Sequence, residues 1–386
     1  MILTAKQEES LKIAVKRYKD KQPYTCIAGY AGTGKSTLVR FIIKALGFIE
    51  EDVCYVAYTG KAAQVLRSKG CPNAMTAHRL LYKSIQKDDG TYVHIPYPSL
   101  PPFSMIVVDE ISMLPKRMWE LLLHHKIHVL ALGDPGQLPP VMAEDNRVLE
   151  APHIFLDEIM RQAAESEIIR LTMNIREGKP LKPMMGQEVR IVEREELLQP
   201  GFLAWGDQII CGKNNTRHEI NRVMREIKMG TTDVEPLVGD RVICLHNEWE
   251  CINLSGDALV NGLSGTITGL RYTDTNPFMD RTPILDFKPD IDDSDTFREL
   301  EVDYKLLTEH VPTVTKETFK RIPKYYRPKE FDYGYAVTCH KAQGSEYDKV
   351  IVLEEYLKGE SKDDHSRWLY TAATRAAKKL IIVRNY

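Results

Sequence analysis

The chain is 386 residues long, 43% hydrophobic and 27% charged, with a formal net charge of −2. These values describe a globular protein large enough for two or more domains. They exclude a chain-wide basic field, and no uncharged apolar run reaches membrane-spanning length.

In chain order, Thr4-Ala5-Lys6-Gln7 has the capping-box pattern that opens a helix, and Met1–Glu9 lacks the apolar core of a signal peptide. Tyr24–Ala28 reads as a short buried strand, after which Leu38, Phe41, Ile42, Ala45 and Leu46 recur at helical spacing. Apolar runs at Val53–Ala57, Met105–Val108 and Val129–Leu132 have the character of parallel strands buried on both faces. Residues 1–150 are expected to form one α/β domain. Within it, 84–103 holds Asp88-Asp89-Gly90 and a rigid Pro96–Pro102 return, which points to a β-hairpin.

A second alternating set follows, with strands near Ile154–Leu156, Gln208–Cys211, Tyr335–Thr338, Lys349–Leu353 and Leu380–Val383. Helical patterns lie at Glu165–Arg176, Thr216–Ile227 and Asp364–Ala377. This second α/β domain is expected over 151–238 and 331–386. Its interruption, 239–330, alternates short β-like runs with Gly, Pro, Asn and Asp, and Asp290–Asp295 reads as a solvated loop. The seven cysteines (Cys26, Cys54, Cys71, Cys211, Cys244, Cys251, Cys339) are scattered and odd in number, as expected of reduced thiols in a cytoplasmic protein.

Gly29-Tyr30-Ala31-Gly32-Thr33-Gly34-Lys35-Ser36 fills every fixed position of the phosphate-binding loop G-x-x-x-x-G-K-[ST], between a strand and a helix. Loop N–H groups and the helix N-terminus together favour an anion, so Gly29, Ala31, Gly32, Thr33, Gly34 and Thr37 are expected around the phosphates. Lys35 is expected to reach the β- and γ-phosphates and Ser36 to ligate Mg²⁺. The chain should therefore bind a nucleoside triphosphate. Asp109-Glu110-Ile111-Ser112 follows a buried strand in the manner of a Walker B pair. Asp109 would hold Mg²⁺, and Glu110 would orient or activate the attacking water. Alone, the pair could be a capping Asp at a turn; the upstream loop favours catalysis. Gly133-Asp134-Pro135-Gly136-Gln137-Leu138-Pro139-Pro140 ends another strand, where ligands of open α/β sheets bind, and Gln137 is placed to sense the γ-phosphate.

These three motifs, in this order, resemble the superfamily 1 helicases, particularly their RecD-like and Dda-like 5′→3′ group. The resemblance runs from Gln7 to Arg375. It implies two tandem RecA-like domains, the hairpin near 84–103 as a strand-separating pin, and 239–330 as a small SH3-like insertion. It implies ATP and Mg²⁺ as cofactors and single-stranded and forked duplex DNA as partners, with monomeric activity and contacts to single-strand-binding or replication proteins. Ala57-Tyr58-Thr59-Gly60-Lys61-Ala62-Ala63 is similar to the backbone-gripping motif Ia, with Tyr58 where the family usually has Pro. Thr76-Ala77-His78-Arg79-Leu80-Leu81 resembles the next single-strand contact segment, although Thr76 also suits a helix cap. The implied DNA contacts are Thr59, Lys61, Thr76, His78, Thr338, His340 and Lys341.

Met160-Arg161-Gln162 resembles motif IV, Tyr335–Glu346 motif V and Trp368–Ala376 motif VI. Arg161 and Arg375 would then be arginine fingers, with Gly344 and Glu346 facing the nucleotide. For Gln7 the resemblance favours contact with the adenine edge over the capping box. The implied activity is ATP-driven 5′→3′ unwinding. A translocase that unwinds poorly, a preference for RNA, or a nucleotide-gated clamp without turnover remain the alternatives.

Overall fold

The structure is a computed structural model that describes residues 3–86, 92–139, 144–160, 165–199, 201–255, 257–279, 281–291, 294–323 and 326–384. The first sheet contains β1 (Tyr24–Gly29), β2 (Val53–Ala57) and β3 (Met75–Thr76). A separate hairpin of β4 (Tyr82–Gln86) and β5 (Tyr92–Pro96) follows, then β6 (Met105–Val108), β7 (Val129–Gly133) and β8 (Ile154–Leu156). The sheet order is β3-β2-β6-β7-β1-β8, and every pairing is parallel. Strand periodicity sends Ile27, Met105 and Val107 to one face, against Leu38 and Ile42, and Cys26, Ile106 and Val108 to the other, against Met118 and Trp119. Both faces are thus covered by helices, which is why these strands read as unbroken apolar runs.

The second sheet contains β9 (Met184–Met185), β10 (Val189–Glu193) and β11 (Gln208–Cys211). Before the chain returns to it, β12 (Arg241–Cys244), β13 (Glu248–Ile252), β14 (Ala258–Leu259), β15 (Ser264–Thr273), β16 (Thr282–Pro289), β17 (Phe297–Glu301) and β18 (Phe331–Tyr333) intervene. It is completed by β19 (Ala336–Thr338), β20 (Tyr347–Leu353) and β21 (Ala376–Arg384), in the order β19-β11-β20-β21-β10-β9, parallel except at β9. The intervening strands form an antiparallel sheet, β17-β16-β15-β12-β18, with β13 and β14 as a separate ribbon.

Two expected divisions shift. Ile154–Leu156 joins the first sheet, with Ile27 opposite Ile154, so the first unit runs past residue 150. Phe331–Tyr333 pairs with β12 and closes the antiparallel sheet, so that sheet runs past residue 330. The hairpin pairs Tyr82 with Pro96 and Gln86 with Tyr92; its expected turn, Asp88-Asp89-Gly90, lies outside the described residues.

The antiparallel unit also reaches the first domain. Thr59 caps the helix Gly60–Ser68, and Val260 abuts Gly60 so closely that a Cβ there would lie 2.4 Å from Val260 Cβ. Arg67 pairs with Asp257 at 3.2 Å, and Gln64 donates to the Ala258 carbonyl at 3.2 Å. All seven cysteines are free, and burial pushes the Cys26, Cys54, Cys211, Cys244 and Cys339 thiols up to about 12, leaving them protonated. Among the described residues no helix is long and apolar enough to cross a membrane.

Candidate active site

The phosphate-binding loop follows β1, Asp109 and Glu110 follow β6, and the Asp134–Leu138 loop follows β7. Parallel, adjacent strands therefore bring all three motifs to one sheet edge, at their carboxyl ends. A cleft of about 1260 Å³ opens there, lined by Lys35, Ser36, Asp109, Glu110 and Gln137 on one wall and by Gly344, Glu346 and Arg375 on the other.

Lys35 Nζ donates to the carbonyls of Gly29 (2.6 Å) and Tyr30 (3.0 Å). Burial holds its pKa below the usual lysine range, opposed by Asp134, Asp109 and Glu110. Burial likewise raises Asp109 and Glu110 above the usual carboxylate range; Lys35 opposes this most at Asp109, and Arg375 at Glu110. Glu110 adopts the left-handed conformation (φ 50°, ψ 52°), a costly backbone for a non-glycine residue that commonly marks a working site. The Gln137 Oε1 atom is buried without a hydrogen-bond partner. Ser36 is exposed in the cleft that Asp109 also lines, and a hydroxyl with a carboxylate is a donor set that suits Mg²⁺.

From the second wall, Arg375 Nη1 approaches Glu110 Oε1 to 3.6 Å. Its guanidinium is held by the Thr371 carbonyl (3.1 Å), the Ser345 carbonyl (3.3 Å) and Thr374 Oγ1 (3.1 Å). Gly344, at φ 72°, holds a left-handed backbone that disfavours any side chain, and a Cβ there would press on Ala62 Cβ at 3.1 Å. Glu346 pairs with Lys69 at 3.7 Å. Arg161 lies outside the described residues; Met160 donates its N–H to the Gly32 carbonyl at 3.0 Å.

Gln7 takes part in the capping box of the first helix. Its Oε1 accepts from the Thr4 N–H (3.1 Å), completing the capping box, while Nε2 donates to the Thr33 carbonyl (3.3 Å). The amide is thus engaged within the chain at both ends, and its bond to Thr33 braces the phosphate-binding loop.

The expected nucleic-acid contacts divide into two groups. Thr59 and Lys61 line the cleft, and Lys61 is 7% exposed, with Nζ 3.4 Å from Tyr347 Oη. Its place in the first turn of Gly60–Ser68 aims it at Tyr347 of the second domain. Thr76 and Thr338 end β3 and β19, the edge strands of their sheets. Thr76 Oγ1 caps the helix Ala77–Leu81 through the Arg79 N–H at 3.2 Å, so the capping reading of this residue holds. His78 sits among the rings of Tyr58 (6.4 Å), Tyr82 (5.9 Å) and His94 (6.0 Å) at the base of the hairpin. Burial keeps its pKa below the usual histidine value. His340 and Lys341 follow Thr338; burial lowers both, and Arg217 adds to the shift of Lys341, which falls to about 8.

Several contributors escaped the sequence reading. Tyr370 and Thr371 reach across to the first domain, and Asp134 accepts from Tyr370 at 2.6 Å. Their only sequence signal is membership of the Trp368–Ala376 segment. Tyr30 of the phosphate-binding loop carries the Arg176 guanidinium over its ring at 3.5 Å. Elsewhere His218, His310 and Asp332 converge. The two imidazoles stack 3.5 Å apart at 15°, so no single ion can lie in both ring planes, and Arg217 already binds the carboxylate at 2.5 Å. This cluster is an ion-paired junction.

Residues 3–198 match the family described as an AAA domain, and residues 333–383 match the UvrD-like helicase C-terminal domain. The chain is 24% identical over 305 residues to the ATP-dependent DNA helicase dda of Enterobacteria phage T4, covering 71% of this chain and 69% of that protein. It is 26% identical over 382 residues to the ATP-dependent RecD2 DNA helicase of Deinococcus radiodurans, covering 91% of this chain and 45% of that protein. Its fold resembles the Pif1 helicase from Bacteroides solved with ADP-AlF3 and ssDNA, with a TM-score of 0.54 at 18% identity, covering 99% of this chain and 92% of that one. With the motifs and the two-walled cleft, these matches establish that the chain belongs to the AAA-domain family and carries a UvrD-like helicase C-terminal domain, with similarity to the Dda and RecD2 helicases of superfamily 1.

Proposed function

We propose that the chain uses ATP to move 5′→3′ along single-stranded DNA and to part the duplex ahead of it. The observation that carries this reading is Arg375 of the second domain directed at Glu110 of the first across the cleft. Lys35, Glu110 and Gln137 stand on one wall and Arg375 on the other, so hydrolysis requires the walls to meet and product release lets them part. Ser36 and Asp109 would hold Mg²⁺, which would withdraw charge from the β- and γ-phosphates. Glu110 would take the proton of the attacking water, while Gln137 orients that water and Arg375 and Arg161 stabilise the transferring phosphoryl group.

His78, Thr338, His340 and Lys341 are proposed as the strand contacts, and the rings of Tyr58 and His94 add a surface on which bases stack irrespective of sequence. The β4–β5 hairpin, rising from that surface, is the proposed pin, and the antiparallel sheet the proposed SH3-like insertion. The test is ATP-dependent opening of one duplex bearing either a 5′ or a 3′ single-stranded tail. Opening only the 5′-tailed substrate supports the polarity and the pin. Opening only the 3′-tailed one refutes the polarity, and DNA-stimulated hydrolysis without opening of either refutes the pin.

A further inference from the structure

Two consecutive residues of the helix Lys362–Ala373 cross from the second domain to the first. Tyr370 Oη accepts from the Ala31 N–H at 3.0 Å and donates to Asp134 Oδ2 at 2.6 Å. Asp134 Oδ1 accepts from the Gly136 N–H at 2.9 Å. Thr371 Oγ1 accepts from the Leu138 N–H at 3.0 Å, and Gln343 Nε2 donates to the Leu138 carbonyl at 3.4 Å. The loop from Asp134 to Leu138 is therefore held at both ends by the second domain, and Gln137, with its unpartnered Oε1, lies inside the held segment.

The phenol is built into this place. Tyr370 is 1% exposed, and Gly136 faces its ring so closely that a Cβ there would lie 3.1 Å from Tyr370 Cε1. Burial, followed by the Asp134 carboxylate, raises its pKa, so the hydroxyl keeps its proton and remains a donor. Asp134 is also the strongest electrostatic partner of Lys35. One unbroken chain thus runs from a phosphate-loop amide through the phenol to the carboxylate that faces the phosphate-loop lysine.

We propose that Tyr370 is a positioning residue for ATP hydrolysis: its hydroxyl sets the phosphate-binding loop at Ala31 and the Gln137 loop at Asp134 from across the cleft. The same helix leads directly to Arg375, so the segment that delivers the arginine also registers the groups facing it. A movement of the second domain on its strand then reaches the nucleotide through two separate contacts. This inference rests on the ATPase reading above and adds the element that ties turnover to domain position.

Tyr370→Phe keeps the ring and its packing and removes both hydrogen bonds. For DNA-stimulated hydrolysis, kcat should fall about tenfold or more, while KM for ATP stays within about threefold. The thermal midpoint should move by only a few degrees, about the effect of one or two lost hydrogen bonds. Asp134→Asn weakens the same chain by removing the charge on its acceptor, so the double variant should be little slower than the slower single variant. An unchanged kcat in Tyr370→Phe, a rise in KM alone, or losses that multiply in the double variant would each overturn the inference. A wild-type chain that hydrolyses no ATP overturns the functional reading and this inference together; wild-type turnover with an unaffected Tyr370→Phe overturns the inference alone.

Discussion

Arg375→Ala separates a catalytic role from a structural one. Arg375 is 6% exposed, and three contacts of its guanidinium (the Thr371 and Ser345 carbonyls and Thr374 Oγ1) lie within its own domain. Truncation leaves those acceptors short of a donor, which costs about 1–3 kcal/mol of stability. The fourth contact, with Glu110, is the one that crosses the cleft, at 3.6 Å. A finger that stabilises charge on a transferring phosphoryl group contributes about 10³–10⁵ in turnover, or about 4–7 kcal/mol of barrier. The catalytic loss should therefore far exceed the structural one. Phosphate release at saturating ATP and single-stranded DNA measures the first, thermal unfolding the second, and fluorescent-nucleotide titration shows whether binding survives. We expect turnover to collapse while nucleotide affinity stays within about tenfold, with Arg375→Lys intermediate because it keeps charge but not the planar fork. A folded Arg375→Ala variant that retains turnover within about threefold of wild type would refute the assignment.

Lys35→Ala should abolish turnover, because nothing else in the described phosphate-binding loop carries a cation to the β- and γ-phosphates; residual hydrolysis above background would argue against the site. Gly60→Ala drives a methyl group into Val260 and should lower stability by about 1–3 kcal/mol in thermal unfolding, with Val260→Ala restoring part of it. A neutral Gly60→Ala would mean that the insertion does not rest on this helix. His365 offers a pH test. Burial lowers its pKa, but Glu354 and Glu360 on either side outweigh this, and the net value lies above the ordinary 6.5. A raised folded pKa means that the stabilisation is complete below pH 6.5 and is lost as pH rises through the folded value. His365→Gln should therefore flatten the fall in thermal midpoint above that pH.

Local pattern was enough for much of the first wall. Glycine spacing fixed the phosphate-binding loop, and four-residue and five-residue apolar runs marked β2, β6 and β7, because strands buried on both faces have few polar positions to interrupt them. The same pattern could not say which sheet a strand joins. Ile154–Leu156 and Phe331–Tyr333 look alike in any sheet, and their places were set by the free edges of β1 and β12. Val189–Glu193 escaped notice altogether, because Arg190 and Glu193 break its apolar run.

The site divides in the same way. Lys35, Ser36, Asp109, Glu110 and Gln137 were legible because each lies in a short motif whose spacing is the chemistry. Gln7 and Thr76 were legible too, but as helix caps, since their nearest partners are three residues away. The direction of Lys61 was not legible because a lysine in sequence has none; only the packing of Gly60–Ser68 against the second domain aims it at Tyr347. The sequence by itself therefore determined the nucleotide chemistry, the helicase group and the residues whose partners are close along the chain. Tertiary structure alone decided how the second wall meets the first: Ala31 and Tyr370 stand 339 positions apart, and no local pattern encodes a hydrogen bond that exists only once both domains have folded and docked.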